Sequence, residues 1–118
     1  MSLSDEEREN LLKLIDIIEE KKGEEARVLD MRDHTIATRF FLLANGTNPK
    51  HVKALAEEVM ENYDGEVIHK EGLDTGSWIV LDYGEIMVHI FNEDVRKFYD
   101  LDDLWVDRDY PLKKLKTA

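Results

Sequence analysis

Apolar residues near the start of the chain recur with the spacing of an α-helix. Four of them lie at i, i+3, i+4 and i+7, namely Leu11, Leu14, Ile15 and Ile18. This spacing predicts an amphipathic helix that buries one face. Ser4 and Glu7 have the spacing of a capping box, so we expect the helix to begin just after Ser4. Gly23 follows two lysines and is expected to end the helix.

A second helix is predicted between Asn48 and Gly65. Asn48 is a favourable N-cap, and Pro49 takes the first helical position, where its missing N–H costs nothing. The residues with the spacing of an inward-facing stripe are Val52, Leu55, Ala56, Val59 and Tyr63.

Five other segments have the pattern of β-strands. The segment Thr38–Asn45 ends in a continuous apolar run, which predicts a central strand covered on both faces. The last two strands are separated by a tight turn that contains Gly84, so we expect them to form a hairpin. The predicted strands are Ala26–Met31, Thr38–Asn45, Glu66–Lys70, Ser77–Tyr83 and Glu85–Asn92.

The order of these elements predicts one α/β domain over residues 1–110, with a single mixed sheet and helices packed on it. A short third helix is expected to begin at the cap Asn92 and to reach Phe98 or Tyr99. The length of 118 residues fits one domain. Residues 111–118 carry three lysines and are predicted to form a flexible tail.

Charge and composition narrow the choice of partners. The chain has 16 Lys and Arg against 27 Asp and Glu, a net charge of −11. This excess disfavours direct binding to a nucleic-acid backbone, which needs clustered cations, and leaves a basic partner or no electrostatic partner. Cysteine is absent, which excludes disulfides and thiolate metal sites. The sequence has no apolar run long enough for a membrane span and no signal-peptide pattern, so we predict a cytoplasmic protein with no membrane partner.

Residues typical of catalysis are sparse. Gly46 and Thr47 precede a predicted helix, where backbone N–H groups can bind an anion, but a plain strand-to-helix turn needs the same residues. His69 and His89 come together only if their strands pair, and a metal site would also need a carboxylate. We therefore predict no catalytic residue, no cofactor and no metal site.

The segment Phe98–Asp107 combines acidic and aromatic residues and contains no Lys or Arg. Aromatic anchors with steering carboxylates are what a basic protein partner requires. The alternative is a set of core aromatics between solvated carboxylates, which we expect for Phe98 and Leu101. The more exposed face of the first hairpin strand is predicted to carry Trp78, Val80 and Asp82.

Several motifs follow one another along the chain, namely Thr38–Gly46, His51–Ala56, Glu71-Gly72, Trp78–Glu85 and Val88–Phe91. In this order and spacing they resemble the ribosomal silencing factor family, which is also called Iojap-related. The resemblance runs from about Leu11 to Asp107. Arg39 departs from it, because the family usually has Asp there, and this puts in doubt only contacts at the start of that strand.

The resemblance implies a function and a fold. Members of the family bind the large ribosomal subunit through its basic protein number fourteen, block joining of the small subunit, and also aid maturation of the large subunit. The implied fold is a nucleotidyltransferase-like mixed sheet of about five strands. No membrane and no sequence-specific nucleic acid is implied as a partner.

Two alternatives to this function stay open. A nucleotidyltransferase-like enzyme would need an Asp-x-Asp pair on the strand after the second helix, and Glu66–Glu71 lacks that pair, so two-metal chemistry has no ligands there. A homodimer is the other alternative, because the edges of the sheet must be paired or covered.

The resemblance and the composition together select a set of partner-binding residues. Trp78 and Tyr83 are expected to serve as apolar anchors, with His89 and Arg96 in supporting hydrogen bonds. The predicted partner-binding residues are Trp78, Val80, Asp82, Tyr83, Glu85, Tyr99, Asp100, Asp102, Asp103 and Trp105.

Overall fold

The computed structural model describes residues 3–33 and 38–117, which contain five α-helices and six strands. Along the chain these are α1 (Asp5–Glu20), β1 (Glu24–Asp30), β2 (Phe40–Gly46), α2 (Pro49–Asn62), β3 (His69–Glu71), β4 (Trp78–Asp82), β5 (Ile86–Asn92), α3 (Glu93–Tyr99), α4 (Leu101–Leu104), β6 (Asp109–Tyr110) and α5 (Leu112–Thr117). No helix in these ranges has the length and hydropathy that a bilayer span requires.

The strands form one mixed sheet in the order β3-β4-β5-β2-β1-β6. Only β2 and β5 run parallel, and every other neighbouring pair is antiparallel. The predicted α/β class and the β4–β5 hairpin are therefore confirmed. The predicted number of about five strands is one too few, because β6 has two residues and exists only through its pairing with Val28 and Leu29.

The two faces of the sheet are covered differently. Helices α1 and α2 bury one face in the main core, to which the predicted α1 stripe contributes fully. The opposite face carries a smaller cluster, which we call the second-face cluster, built on Leu29, Met31, Leu43 and Phe91. Among the described residues outside the sheet, those that pack on it are Val95, Leu101 and Trp105, which belong to the short helices α3 and α4 and to the residue after α4. This face therefore stays partly open.

Several predicted boundaries shift in the structure. Strand β1 begins at Glu24 and contains a register shift before Arg27, at which Glu25 has a φ of 50°. Strand β3 is shorter than predicted, because it lies at the edge of the sheet and its side chains are exposed. Helix α2 ends at Asn62, three residues before the predicted Gly65. Asn92 stands at the N-cap of α3, but its side chain makes no capping hydrogen bond.

The segment that we predicted to be a flexible tail forms helix α5 in the structure. Leu112 and Leu115 are three residues apart, which gives this lysine-rich segment one apolar face. Leu115 is 0% exposed and packs in the main core with residues of α1. The Nζ atom of Lys116 also lies 3.8 Å from Oε1 of Glu19 in α1.

We expect Leu115→Ala to destabilise the protein by about 2 kcal/mol or more, since it removes a fully buried side chain from the core. Lys113→Ala on the exposed side of the same helix is the matched control and should change stability by less than about 0.5 kcal/mol. Urea unfolding of both variants measures the difference. Equal stability of the two variants would show that α5 does not dock.

Candidate functional site

The guanidinium of Arg96 is the centre of a buried hydrogen-bond network at one end of the sheet. Arg96 is 8% exposed and lies in α3. Its Nε and Nη2 atoms donate to the two carboxylate oxygens of Asp102 at 2.9 and 2.8 Å. Its Nη1 atom donates to Oδ1 of Asn45 at 2.8 Å and to the carbonyl of Glu25 at 2.7 Å. One side chain thus connects α3 and α4 to the ends of β1 and β2.

Asp102 is shared between two arginines. Besides the bidentate contact with Arg96, it accepts a hydrogen bond from Nη1 of Arg27 at 2.9 Å, while Nε of Arg27 binds Asp109 at 2.7 Å. The hydrogen bonds from Arg96, and then those from Arg27, lower the pKa of the Asp102 carboxyl to about 2. The negative charge of Asp102, a predicted partner-binding residue, is therefore paired with two arginines of the protein itself.

The turn between α3 and α4 directs the neighbouring carboxylates outward. Asp100 occupies the left-handed region with φ and ψ of 50°, which Asp tolerates better than most residues. Its side chain accepts a hydrogen bond from the backbone N–H of Asp103 at 3.3 Å. The chain then turns so that Leu101 and Trp105 pack on the second-face cluster, and Asp103 stays exposed.

Trp78 and His89 form a defined hydrogen-bonded pair on the open face of the sheet. The indole Nε1–H donates to Nδ1 of His89 at 3.0 Å. Because indole is only a donor, Nδ1 must be unprotonated, and a neutral His89 therefore carries its proton on Nε2. That nitrogen is buried and has no hydrogen-bond partner among the described residues. His89 is 5% exposed, and this burial lowers its pKa to about 4.

Aromatic rings continue from Trp78 towards solvent, and we call this arrangement the aromatic row. The Trp78 ring centroid lies 4.9 Å from that of Phe91 and 4.9 Å from that of Tyr99. The Phe98 ring follows at 5.2 Å from Tyr99. Tyr99 is 54% exposed and Phe98 is 82% exposed. The row thus begins under the sheet surface and ends in solvent.

The expectation that Phe98 belongs to the core is wrong. An α-helix turns about 100° per residue, and the inward side of α3 is defined by Val95, Arg96 and Tyr99. Phe98 falls about 100° from the middle of that side. The helical spacing of these residues can be read from the sequence, but it predicts an outward Phe98 only once Arg96 is known to point inward.

The residues predicted at the hairpin lie away from the aromatic row. Asp82 accepts a hydrogen bond from the backbone N–H of Gly84 at 2.7 Å, a contact by which Asp side chains commonly stabilise turns. The ring of Tyr83 packs edge-on against Tyr63 at 5.0 Å, on the side of the main core. The side chain of Glu85 is exposed.

The ten predicted partner-binding residues therefore do not form one cluster. Trp78 and Asp82 are at opposite ends of β4, and four residues of strand span about 13 Å. Four of the other predicted residues lie near the Trp78 end of β4, namely Tyr99, Asp100, Asp103 and Trp105. Val80 lies between the two ends on the same face as Trp78 and is half-buried.

Two N–H groups at the strand-to-helix turn before α2 are satisfied by nearby side chains. The backbone N–H of Thr47 donates to Nδ1 of His51 at 3.0 Å, and the N–H of His51 donates to Oδ1 of Asn48 at 2.9 Å. An anion at this turn would have to displace these side chains. The geometry therefore favours a plain capped turn over a phosphate site.

The two histidines considered for a metal site are separated by a strand. His69 is in β3 and His89 in β5, with β4 between them. The Nε2 atom of His69 lies 2.8 Å from a carboxylate oxygen of Glu71. Within residues 3–33 and 38–117, no group of three or more His, Cys, Asp or Glu side chains is arranged to hold a metal ion.

Comparison with known proteins identifies the relatives of this chain. The sequence profile of the family described as "Ribosomal silencing factor during starvation" matches residues 4–118. The Ribosomal silencing factor RsfS of Bacillus subtilis is 34% identical over 92 residues, which are 75% of this chain and 78% of that protein. A crystal structure of a protein from Chromobacterium violaceum has a TM-score of 0.78 and 29% identity, and the match covers 88% of each chain.

A more distant relative has a name that refers to the large subunit. The mouse protein called Mitochondrial assembly of ribosomal large subunit protein 1 is 21% identical over 103 residues, which are 82% of this chain and 45% of that protein. The resemblance inferred from the motifs is confirmed by these matches.

We expect Asp102→Asn to lower the free energy of unfolding at pH 7 by about 2 kcal/mol, because hydrogen bonds to two guanidinium groups are weakened. The folded pKa of about 2 is below the ordinary 3.8, so the Asp102 carboxylate stabilises the fold above pH 4. This contribution is lost as the pH falls through 2, and the two proteins should then converge. Asp103→Asn is the exposed control and should change stability by less than about 0.5 kcal/mol at pH 7.

His89 should make stability depend on pH in a different range. Its folded pKa of about 4 is below the ordinary 6.5, so the unfolded chain takes up the proton first and stability falls from pH 6.5 to 4. His89→Asn keeps an acceptor near the position of Nδ1 but cannot titrate. We expect the stability advantage of the wild type over this variant, followed by urea unfolding, to shrink by about 3 kcal/mol between pH 7 and 4. A constant advantage would contradict the assignment.

Proposed function

The chain belongs to the family of ribosomal silencing factors, and we propose that it represses translation by binding the large ribosomal subunit and blocking the small subunit from joining. The proposed docking partner is the basic protein number fourteen of the large subunit. The protein would act in the cytoplasm, where it meets the ribosomal subunits, and it would act by binding alone rather than by catalysis.

One observation on this molecule carries the proposal, which is the surface around the aromatic row. Tyr99 is exposed beside Trp78, and the neighbouring carboxylates Asp100 and Asp103 make no ion pair among the described residues. Aromatic anchors next to unpaired carboxylates complement a basic protein surface. The chain as a whole carries a net charge of −11, but at physiological ionic strength the carboxylates close to the contact are the ones that attract such a partner.

The size of the domain supports repression by occlusion. Its principal extents are 37, 30 and 26 Å. A body of this size on the subunit-facing side of the large subunit would occupy space that the small subunit needs. No chemical step is required for such a block, and the satisfied N–H groups before α2 agree with a role that needs no nucleotide.

We also propose a role in assembly of the large subunit. The name of the mouse relative refers to assembly of the large ribosomal subunit. A protein that occupies the subunit-facing side early would also keep small subunits away from incomplete large subunits. The same docking surface serves both roles.

Charge reversal on the docking surface tests the proposal. We expect Asp103→Lys to weaken co-sedimentation with purified large subunits at least tenfold, because it places a cation opposite a basic partner. The matched control is Glu57→Lys, which makes the same charge change at an exposed position of α2 on the other side of the sheet. The control should bind as the wild type does.

The same preparations should report subunit joining. When large and small subunits are mixed, the wild type and Glu57→Lys are expected to reduce the peak of joined ribosomes in a sucrose gradient. Asp103→Lys should leave that peak nearly unchanged. Absence of wild-type binding to large subunits would refute the proposed function. Equal loss in both variants would show that net charge, rather than this surface, controls binding.

A further inference from the structure

The segment that contains the outer end of the aromatic row is rich in exposed apolar side chains. Among the described residues, five large apolar side chains are strongly exposed, and four of them lie in the segment 98–106, namely Phe98, Tyr99, Leu104 and Val106. The fifth is Ile68, next to the edge strand β3. Exposed aromatic side chains grouped in this way mark an interaction site more often than scattered ones do.

Carboxylates without cations accompany these side chains. Glu93 pairs with Lys97 at 3.3 Å, and Asp102 is held by the two arginines described above. The other four carboxylates of residues 93–107 make no ion pair in the part of the chain that the structure describes, and they are Asp94, Asp100, Asp103 and Asp107. The two cations of this stretch, Arg96 and Lys97, are thus engaged in ion pairs, and four carboxylates near the exposed rings in sequence are left without one.

The inner end of the row holds the rings in place. The N–H of Trp78 is engaged by His89, so the indole offers its ring rather than a hydrogen bond to its neighbours. Tyr99 rests against this ring, and Phe98 meets Tyr99 at an interplanar angle of 86°. Contacts thus run from His89 through Trp78 and Tyr99 to Phe98.

Resting on the proposed function, we infer that Phe98 and Tyr99 bind an arginine or lysine side chain of the protein partner, with Asp100 and Asp103 beside it. An aromatic face attracts a cation, and the attraction increases when the site loses water. Arginine is favoured over lysine, because its planar guanidinium both stacks on a ring and donates to a carboxylate. The occupant is therefore a basic segment of a protein.

Two other occupants are disfavoured by the charges. Rows of aromatic rings also stack on bases of single-stranded RNA, but such sites line their groove with cations, and this segment presents four carboxylates instead. A second copy of this chain would bring the same four negative charges to the contact. The carboxylates would repel both RNA and a second copy of the chain, whereas they would attract a basic segment.

Substitutions at Phe98 test the inference against a matched exposed position. We expect Phe98→Ala to weaken binding to purified large subunits at least tenfold, with no loss of stability in urea, because the side chain is 82% exposed. Ile68→Ala removes an apolar side chain that is 68% exposed elsewhere and should leave binding unchanged.

The cation contact has a specific signature at Phe98. Phe98→Tyr keeps an aromatic face and should retain wild-type affinity, whereas Phe98→Leu keeps apolar area without that face and should weaken binding as Phe98→Ala does. Retention of affinity in Phe98→Leu would overturn the cation assignment.

The outcomes separate this inference from the proposed function. Wild-type affinity of Phe98→Ala, with the wild type still bound to large subunits, would overturn the inference and leave the proposed function standing. Poly(U) binding that depends on Phe98 would overturn the choice of a protein over RNA. A homodimer in analytical ultracentrifugation that Phe98→Ala dissociates, without loss of subunit binding, would overturn it in favour of a second copy.

Discussion

The molecule depends most on the buried guanidinium of Arg96. A buried cation is costly unless its donors find partners, and here the partners come from three separate parts of the chain. The carbonyl of Glu25 is available because of the irregularity in β1, Asn45 stands at the end of β2, and Asp102 returns from beyond α3. The path of residues 97–102 is therefore dictated by the need to bring one carboxylate back to one arginine.

The surface that faces solvent is a consequence of that constraint. With Arg96 turned inward, Val95 and Tyr99 lie against the sheet and Phe98 turns outward. After the αL turn at Asp100, Asp102 points into the network, whereas the next residue of α4, Asp103, is exposed. Neighbouring carboxylates of equal charge thus have different environments, since one is held in the network and the other is exposed to solvent. Composition alone cannot make this distinction.

Local signals explain which parts of the structure were predictable. Helices α1 and α2 and the β4–β5 hairpin follow from caps, periodicity and a turn glycine, which all lie within a few residues of one another. Strand β6 depends on pairing with Val28, some eighty residues earlier, and no local pattern shows it. The exposure of Phe98 and the internal pairing of Asp102 depend on the contact between Arg96 and Asn45, which are 51 residues apart, so no local pattern could show either of them.

Under the proposed function, the distribution of charge would allow an acidic protein to find a basic one on a surface rich in phosphate. At physiological ionic strength charges act over about 8 Å, while the smallest extent of the domain is 26 Å. The carboxylates of α1, on the other side of the sheet, are therefore screened from a partner docked at the aromatic row. Only the few unpaired carboxylates of residues 94–107 act at contact. In the proposed complex these carboxylates would attract a basic protein and repel RNA. Specificity would then arise as much from repulsion of the surrounding RNA as from attraction to the protein partner.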